Sequence, residues 1–367
     1  MKIKSISIFK FPIEFGETKY VLSGGRVCDG LDGTLVRIDT ACGITGWGEI
    51  SPWGRNYLPE FAEGARATIN SLAPDLIGQN PSNPAQITAL MDKILYGHLY
   101  AKAAIDTACW DILGKKSGLP IHTLLGGAQT DSIPLLGSLY HGPADDMIAR
   151  VEAFRAKGIH SYSAKASGNI ETDCDVFPAL LDQQLSTDTF IIDANAGWSV
   201  SGAVTVLNKL RDYRFMVEQP CRTLAECLRV RQKTQQPTIL DESIIESDNL
   251  VQILTTNAAD VLHFKISRIG GLTKARMIRD FCALSGYSTF WEGSGGGGIA
   301  STAAAHVALS APIGYPHVFW SCEEFNREPT CKGGTDLTNG FMTLGNEPGL
   351  GAEPFSDLTK SPLAQFG

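Results

Sequence analysis

Five short apolar runs in the chain each end on an ionisable residue, and their spacing is regular. The terminal residues are Lys165, Asp193, Glu218, Asp241 and Lys265, separated by 23 to 28 residues. A strand, a loop and a crossover helix need roughly 30 residues, so the spacing predicts consecutive βα units with a charge at each strand end. In a (β/α) barrel those ends meet on one face. Three carboxylates between two amines on that face predict a metal site with a base on either side.

The segments between and around these runs fit such a barrel. Helical patterns separate the later strands, at residues 143–157, 173–185, 200–213, 224–234, 247–256 and 272–286. We expect a first strand at 133–138, a seventh at 288–291 and an eighth at 317–322.

The N-terminal part has a different pattern. Strand patterns occupy residues 1–11, 33–40 and 43–49, a polar loop covers 14–32, and helical patterns follow at 60–76, 83–95 and 101–117. Strands followed by helices predict an α+β cap. We place the cap at 1–128, the catalytic barrel at 129–340, and a C-terminal segment that returns to the cap at 341–367.

The composition limits the classes of function. The chain has 367 residues, a hydrophobic fraction of 43% and a net charge of −8 without a long basic run, which argues against nucleic acid and anionic membranes as partners. The start lacks the apolar core of a signal peptide, and no stretch approaches a membrane span. The nine cysteines are scattered without a Cys-x-x-Cys pair. We therefore expect a cytoplasmic protein.

Several motifs together resemble the enolase superfamily, in its mandelate racemase and muconate-lactonising branch. They are Ala101–Lys115, Asp193-Ala-Asn195, Glu218-Gln-Pro220, Asp241-Glu-Ser243 and Lys265–Gly271. The resemblance implies an α/β fold, a (β/α)₇β modified TIM barrel with an N-terminal α+β capping domain. It also implies Mg²⁺ as cofactor, with Asp193, Glu218 and Asp241 as its ligands. Lys165 and Lys265 are implied as acid/base residues on opposite sides of the barrel mouth, and both need lowered pKa values to act as bases near neutral pH.

Loops outside the barrel motifs resemble a narrower group, the dehydratases of cis-3-hydroxy-L-proline. These loops are Tyr20–Arg26, Ser51–Gly54, Gly97–Lys102 and Trp320–Cys322. This likeness implies a carbon–oxygen lyase that abstracts the α-proton and eliminates water to give Δ1-pyrroline-2-carboxylate. The alternative is a racemase or epimerase of a proline derivative such as proline betaine, since the same lysines serve both reactions. The chain departs from the family at Ser163, where the first lysine of a Lys-x-Lys motif is usual.

Other residues are candidates for contact with a small amino-acid or imino-acid substrate. They are Tyr20, Trp53, Tyr57, Asn195, Glu292, Gly295 and Trp320, while Trp291 could line the pocket or belong to the core. We interpret His98, His263 and His306 as structural, with His263 pointing away from Lys265. We also expect a homo-oligomer, whose size the sequence does not give.

Two rival interpretations remain at the level of sequence. Gly293–Gly298 satisfies G-x-G-x-x-G between a predicted strand and a predicted helix, as in a dinucleotide or phosphate site. The motif follows the seventh strand, and no second βαβ half comes after it. The glycines are therefore better explained by close access of a substrate to the backbone than by a dinucleotide site. A non-catalytic binding protein on the same barrel is the other alternative, and the five polar strand ends argue against it.

Overall fold

The computed structural model describes residues 1–16, 19–54, 57–245 and 247–367, and its N-terminal part is a cap of strands and helices. The strands are β1 (Ile3–Glu14), β2 (Tyr20–Leu22), β3 (Arg26–Cys28), β4 (Gly30–Thr40) and β5 (Thr45–Ile50). The helices are α1 (Ala62–Leu76), α2 (Pro84–Ile94), α3 (Leu99–Ser117) and α4 (Ile121–Leu124). The segment 14–32, predicted as a loop, contains a hairpin of β2 and β3, so Tyr20 lies on a strand.

A parallel sheet forms the barrel, with helices between its strands. A short strand, β6 (Ile133–Pro134), precedes this sheet and lies outside it. The barrel elements start with β7 (Leu136–Leu139), α5 (Ala144–Arg155), β8 (Ser161–Lys165), α6 (Ile170–Leu181), β9 (Thr189–Asp193), α7 (Val200–Lys209) and β10 (Met216–Glu218). They continue with α8 (Leu224–Arg231), β11 (Thr238–Leu240), α9 (Ser247–Thr256), β12 (Val261–Lys265), α10 (Ile266–Ile269), α11 (Leu272–Leu284), β13 (Ser288–Glu292) and α12 (Gly298–Ser310). Strands β7 to β13 are neighbours in sequence order, which brings their carboxyl ends to one edge.

The predicted eighth strand is much shorter in the structure. Phe319 pairs in parallel with Leu135 as a single bridge beside β7. The Phe319 N–H donates to Pro134 O, and the Leu136 N–H donates to Phe319 O, both at 2.9 Å. The segment then turns away, because the Ser321 hydroxyl accepts a hydrogen bond from the Glu323 N–H and starts a 3₁₀ turn.

The C-terminal strands connect the barrel and the cap. They are β14 (Cys331–Gly333), β15 (Thr335–Thr338), β16 (Phe341–Leu344), β17 (Ala352–Pro354) and β18 (Ala364–Phe366). Strand β16 pairs antiparallel with β6, directly before the first barrel strand, and β18 pairs antiparallel with β1 of the cap. The domain boundaries that we placed after residues 128 and 340 stay predictions. Across the described residues, no helix is both long enough and apolar enough to span a membrane.

Helix α3 joins the cap to the barrel, which explains its unusual burial. Of the 19 residues of α3, 14 are buried, because the helix packs against β5 on one side and against α10 and α11 on others. Gly46 and Gly48 of β5 allow this approach, since a Cβ atom at either position would collide with the Ala108 or Ala104 carbonyl oxygen. The buried carboxylate of Asp106 accepts hydrogen bonds from the backbone N–H and hydroxyl of Thr273, at the start of α11. The cap is thereby fixed next to the sixth strand of the sheet.

Candidate active site

One small cavity of about 30 Å³ lies between the cap and the carboxyl edge of the parallel sheet. Side chains that end or directly follow successive strands line it: Lys165, Asp193, Glu218, Asp241, Lys265 and Glu292. The cap and the loops contribute five further predicted residues: Tyr20, Trp53, Tyr57, Asn195 and Trp320. All of the predicted lysines and carboxylates therefore face one cavity, as the regular spacing predicted.

The two lysines stand on either side of the carboxylates. Lys165 ends β8 and Lys265 ends β12, and the three strands between them carry Asp193, Glu218 and Asp241. The lysine ammonium groups bind the outer two carboxylates, with Lys165 Nζ at 2.5 Å from Asp193 Oδ2 and Lys265 Nζ at 2.5 Å from Asp241 Oδ2. The arrangement is an acidic centre with an amine on each flank.

The pKa values of both lysines are raised, opposite to the direction expected from the sequence. Burial by itself would lower the pKa of Lys165, but the charge of Asp193 outweighs it and raises the pKa well above the usual range. Burial would also lower the pKa of Lys265, but the charges of Asp241 and then Glu292 outweigh it and raise the pKa. Both side chains are thus ammonium groups as long as the carboxylates keep their full negative charge.

His263 lies inside the site, so the expectation that it points away from Lys265 is wrong. Residues two apart on a strand share a face, and β12 puts His263 and Lys265 on the cavity side. Its Nδ1 is 2.5 Å from Glu218 Oε1 and its Nε2 is 3.1 Å from Glu292 Oε2. Burial and the Lys265 ammonium oppose protonation, but Glu292, Asp241 and Glu218 raise the pKa of His263 to about 9.

Two charged groups complete the Lys265 side. Glu292 Oε1 lies 3.1 Å from Lys265 Nζ; burial raises the pKa of Glu292, but Lys265 and His263 outweigh it and lower the pKa. Arg268, which is not among the residues predicted from the sequence, is buried and donates to Asp241 Oδ1 at 2.5 Å and to His263 O at 2.9 Å. Its signal was a cation three residues after Lys265, on the short helix α10.

Aromatic rings close the cavity on the cap side. The ring centroids of Tyr20 and Trp53 are 4.8 Å apart, and those of Trp53 and Trp320 are 5.9 Å apart. The Trp320 indole donates to Ser138 Oγ at 2.7 Å, which fixes its orientation. The Tyr57 hydroxyl donates to Asp241 Oδ2 at 3.2 Å.

Two of the sequence candidates do not reach the cavity. Trp291 is buried and stacks on Phe264 at 4.6 Å, because alternation along β13 turns it away from the face that carries Glu292. Gly295 packs instead against Ser51 and Leu31 of the cap.

The glycine-rich loop before α12 binds a carboxylate of the protein itself. Glu49 Oε1 accepts from the Gly297 N–H at 2.6 Å, and Glu49 Oε2 accepts from the Ala300 N–H at 3.1 Å. The Gly298 N–H donates to Thr330 Oγ1 at 2.8 Å. A phosphate would need these same amides, so the dinucleotide interpretation of G-x-G-x-x-G does not fit.

The acidic centre fits a hard divalent cation. Asp193, Glu218 and Asp241 are at most 2% exposed, and burying like charges together is costly without a cation. Burial and then Asp193 raise the pKa of Glu218. The side-chain oxygen of Asn195, beside Asp193, is buried and has no partner among the described residues. Buried oxygen donors of this kind are the ligands that Mg²⁺ prefers.

The structure also groups one nitrogen with these oxygens. Ligand atoms of Glu218, Asp241 and His263 all lie within 4.8 Å of one another. Asp193 lies outside this tight group, because its carboxylate binds the Lys165 ammonium and the Asn195 amide.

The fold and the site define a cap-and-barrel protein with two amines and a histidine around a buried acidic centre. Residues 146–358 match the sequence model of the enolase C-terminal domain-like family. Residues 32–126 match that of the mandelate racemase / muconate lactonizing enzyme N-terminal domain. The chain therefore belongs to the mandelate racemase and muconate lactonizing enzyme branch of the enolase superfamily.

Individual relatives extend over the full chain. A cis-3-hydroxy-L-proline dehydratase of Roseibium aggregatum is 37% identical over 369 residues, covering 100% of both chains. An N-succinyl-L-Arg/Lys racemase of Bacillus cereus is 29% identical, covering 96% of this chain and 95% of the relative. A solved enolase-superfamily structure from Roseovarius nubinhibens, complexed with magnesium, has a TM-score of 0.93 at 36% identity, covering 100% of this chain and 99% of that one.

Proposed function

We propose that the protein is a Mg²⁺-dependent dehydratase of cis-3-hydroxy-L-proline. One observation carries the proposal: Lys165 and Lys265 approach a single cavity from opposite flanks of three buried carboxylates. In this substrate the α-hydrogen and the 3-hydroxyl lie on opposite faces of the ring. Two amines that face each other suit an anti elimination, with one group for each face.

Asp193, Glu218 and Asp241 would hold Mg²⁺ in this proposal. When bound, the ion supplies positive charge that stabilises the second negative charge developing on the substrate carboxylate after α-proton removal. The same charge would offset the carboxylates that raise the lysine pKa values, which favours the neutral amine that a base needs.

The remaining steps belong to the side chains around the cavity. One lysine takes the α-proton and the other assists loss of the hydroxyl, which leaves an enamine that tautomerises to Δ1-pyrroline-2-carboxylate. Trp53 and Trp320 offer aromatic faces to the ring and its amine. The loops that carry these two tryptophans resemble those of the dehydratases, and the dehydratase of Roseibium aggregatum aligns with the whole chain.

The proposal is tested by ¹H NMR in D₂O with Mg²⁺, using cis-3-hydroxy-L-proline and proline betaine in parallel. We expect water loss from the first compound and no deuterium exchange at the α-carbon of the second. Exchange in proline betaine without water loss from cis-3-hydroxy-L-proline would replace the proposal with an epimerase.

Either lysine is expected to be essential. Lys165→Ala and Lys265→Ala should each lower the rate of dehydration by about 10²–10⁴-fold, the usual contribution of a general acid or base. Steady-state rates measure the loss, and circular dichroism checks that both variants fold. Full activity of Lys265→Ala would remove the assignment.

Racemisation or epimerisation of a proline derivative is the second candidate, because the Bacillus cereus relative is a racemase. The same two lysines can remove and return an α-proton from opposite faces. A cytoplasmic location, a homo-oligomeric state and the substrate itself remain predictions.

A further inference from the structure

Tyr20 lies at the Lys165 end of the cavity, on the hairpin of β2 and β3. It is buried, and its ring sits among other aromatic rings, with centroids 4.8 Å from Trp53, 5.2 Å from Phe325 and 5.4 Å from Tyr140. Lys165 Nζ is 5.9 Å from the Tyr20 ring centroid. The cap therefore holds a phenol next to one of the two amines, in a fixed position.

The hydroxyl proton of Tyr20 is available to a ligand. Among the described residues that line the cavity, the Tyr57 hydroxyl donates to Asp241 and the Trp320 indole donates to Ser138. The Asn195 amide donates to Asp193. Among the described residues, the Lys165 ammonium is the hydrogen-bonding neighbour of the Tyr20 hydroxyl, and an ammonium donates but cannot accept.

The two lysines therefore have different neighbours. Lys265 lies against two carboxylates, with Asp241 Oδ2 at 2.5 Å and Glu292 Oε1 at 3.1 Å. Lys165 lies against one carboxylate and the phenol. Burial raises the pKa of Tyr20 to about 12, so the phenol keeps its proton near neutral pH.

We propose that Tyr20 donates a hydrogen bond to the departing 3-hydroxyl on the Lys165 side, and that Lys265 is the base that takes the α-proton. The inference rests on the proposed dehydration. The neutral amine of Lys265 accepts the α-proton, and the electron pair of the broken Cα–H bond forms the double bond between Cα and C3. The C3–O bond breaks with its electron pair on oxygen, and the Lys165 ammonium gives that oxygen a proton, which releases water. Tyr20 keeps its own proton and stabilises the charge developing on the oxygen.

Tyr20 would thereby separate dehydration from epimerisation. Proton exchange at the α-carbon needs a base and a stabilised carboxylate but no group for a leaving oxygen. The hydroxyl of Tyr20 is thus required for one reaction of this cavity and dispensable for the other.

Tyr20→Phe tests this, because it removes the hydroxyl and keeps the ring among its aromatic neighbours. With cis-3-hydroxy-L-proline and Mg²⁺ in D₂O, ¹H NMR measures two rates: water loss, and deuterium incorporation at the α-carbon of the remaining substrate. We expect water loss to fall roughly 100-fold, as when one donor to a developing oxyanion is removed. Deuterium incorporation should persist and become easier to observe.

Tyr57→Phe is the matched control, since its hydroxyl is bound to Asp241. It should lower both rates together. An unchanged rate of water loss in Tyr20→Phe would overturn the inference, and so would a parallel loss of both rates, which indicates a purely structural role.

The two lysine variants test the assignment of the base. Lys165→Ala should retain deuterium exchange at the α-carbon, and Lys265→Ala should lose it. The reverse pattern would exchange the two assignments and also overturn the inference. If the wild-type enzyme itself eliminates no water, the proposed function fails instead.

Discussion

A buried histidine pair lies between α4 and α12, outside the candidate active site. The backbone N–H of His122 donates to Nδ1 of His306 at 3.1 Å, and Nε2 of His306 lies 3.1 Å from Leu350 O. The first contact requires an unprotonated Nδ1, so the native structure fixes a neutral imidazole. Burial lowers the pKa of His306 to about 3.

His306 is expected to make the fold sensitive to acid. An unfolded histidine has a pKa of about 6.5, so between that value and about 3 the unfolded chain binds a proton that the folded chain does not. As the pH decreases below about 6.5, the free energy of unfolding should therefore decrease, by up to about 1.4 kcal/mol per pH unit from this residue.

Urea unfolding at several pH values checks this. His306→Asn should show a shallower pH dependence than wild type, whatever its stability at pH 7. The exposed His98 offers the matched control, because His98→Asn should leave the slope as it is. Equal slopes for wild type and His306→Asn would contradict the prediction.

At the scale of single residues, period and position decided what the sequence could predict. The charged strand ends were visible because each followed an apolar run, and all of them line the cavity. His263 carried the same period-2 signal, two residues before Lys265, but it stands inside the apolar run rather than at its end. Gly295 has no side chain to indicate direction, and the contact of its loop with Ser51 is a long-range packing event.

Helix α12 begins where three parts of the chain meet. Its N-terminal amides are bound by Glu49 of β5 in the cap and by Thr330, which lies just before β14. Ser51 Oγ donates to the same Glu49 carboxylate at 2.8 Å. The positive end of the helix dipole and a buried carboxylate thus stabilise each other across the interface between cap and barrel.

Glu49→Gln is expected to weaken this connection. The amide nitrogen that replaces one oxygen cannot accept from a backbone N–H, so one donor of α12 loses its partner at a cost of about 1–3 kcal/mol. Chemical unfolding measures the change. Glu226→Gln, in the more exposed capping box of α8, is the control and should cost less; equal losses would show that the interface adds nothing.

Elements with strong periodicity were predicted well, and those that depend on partners were not. The cap helices lie at 62–76, 84–94 and 99–117, close to the predicted ranges, because their apolar residues recur with the helical period. The hairpin of β2 and β3 was missed, since strands of three residues give too short a pattern. The eighth strand was overestimated, because the turn at Ser321 ends it after one bridge.

At the scale of the whole molecule, the last strand of the chain pairs with the first, and further contacts join the cap to the barrel. Strand β18 returns to pair with β1, and α3 and Glu49 join the cap to the barrel. The regular spacing of the charged strand ends made the barrel predictable from the sequence. The position of the cap over the barrel depends instead on contacts between residues far apart in sequence.

Binding of Mg²⁺ is expected to stabilise this assembly. A ligand that binds only the folded chain raises the free energy of unfolding, by about 2.7 kcal/mol at a concentration 100 times its Kd. Thermal unfolding should therefore show a higher Tm with Mg²⁺ than with a chelator. Glu218→Gln should lose most of the shift, while the exposed Glu347→Gln should retain it. An equal Tm of the wild-type protein with Mg²⁺ and with a chelator would argue against the metal site.

The cavity of about 30 Å³ offers little free space, and internal ion pairs join its walls. Lys165 contacts Asp193, and Lys265 contacts Asp241. We expect an incoming molecule that carries its own carboxylate and amine to replace these contacts. An uncharged ring of the same shape offers neither charge, so we expect the cavity to favour zwitterions over hydrocarbons.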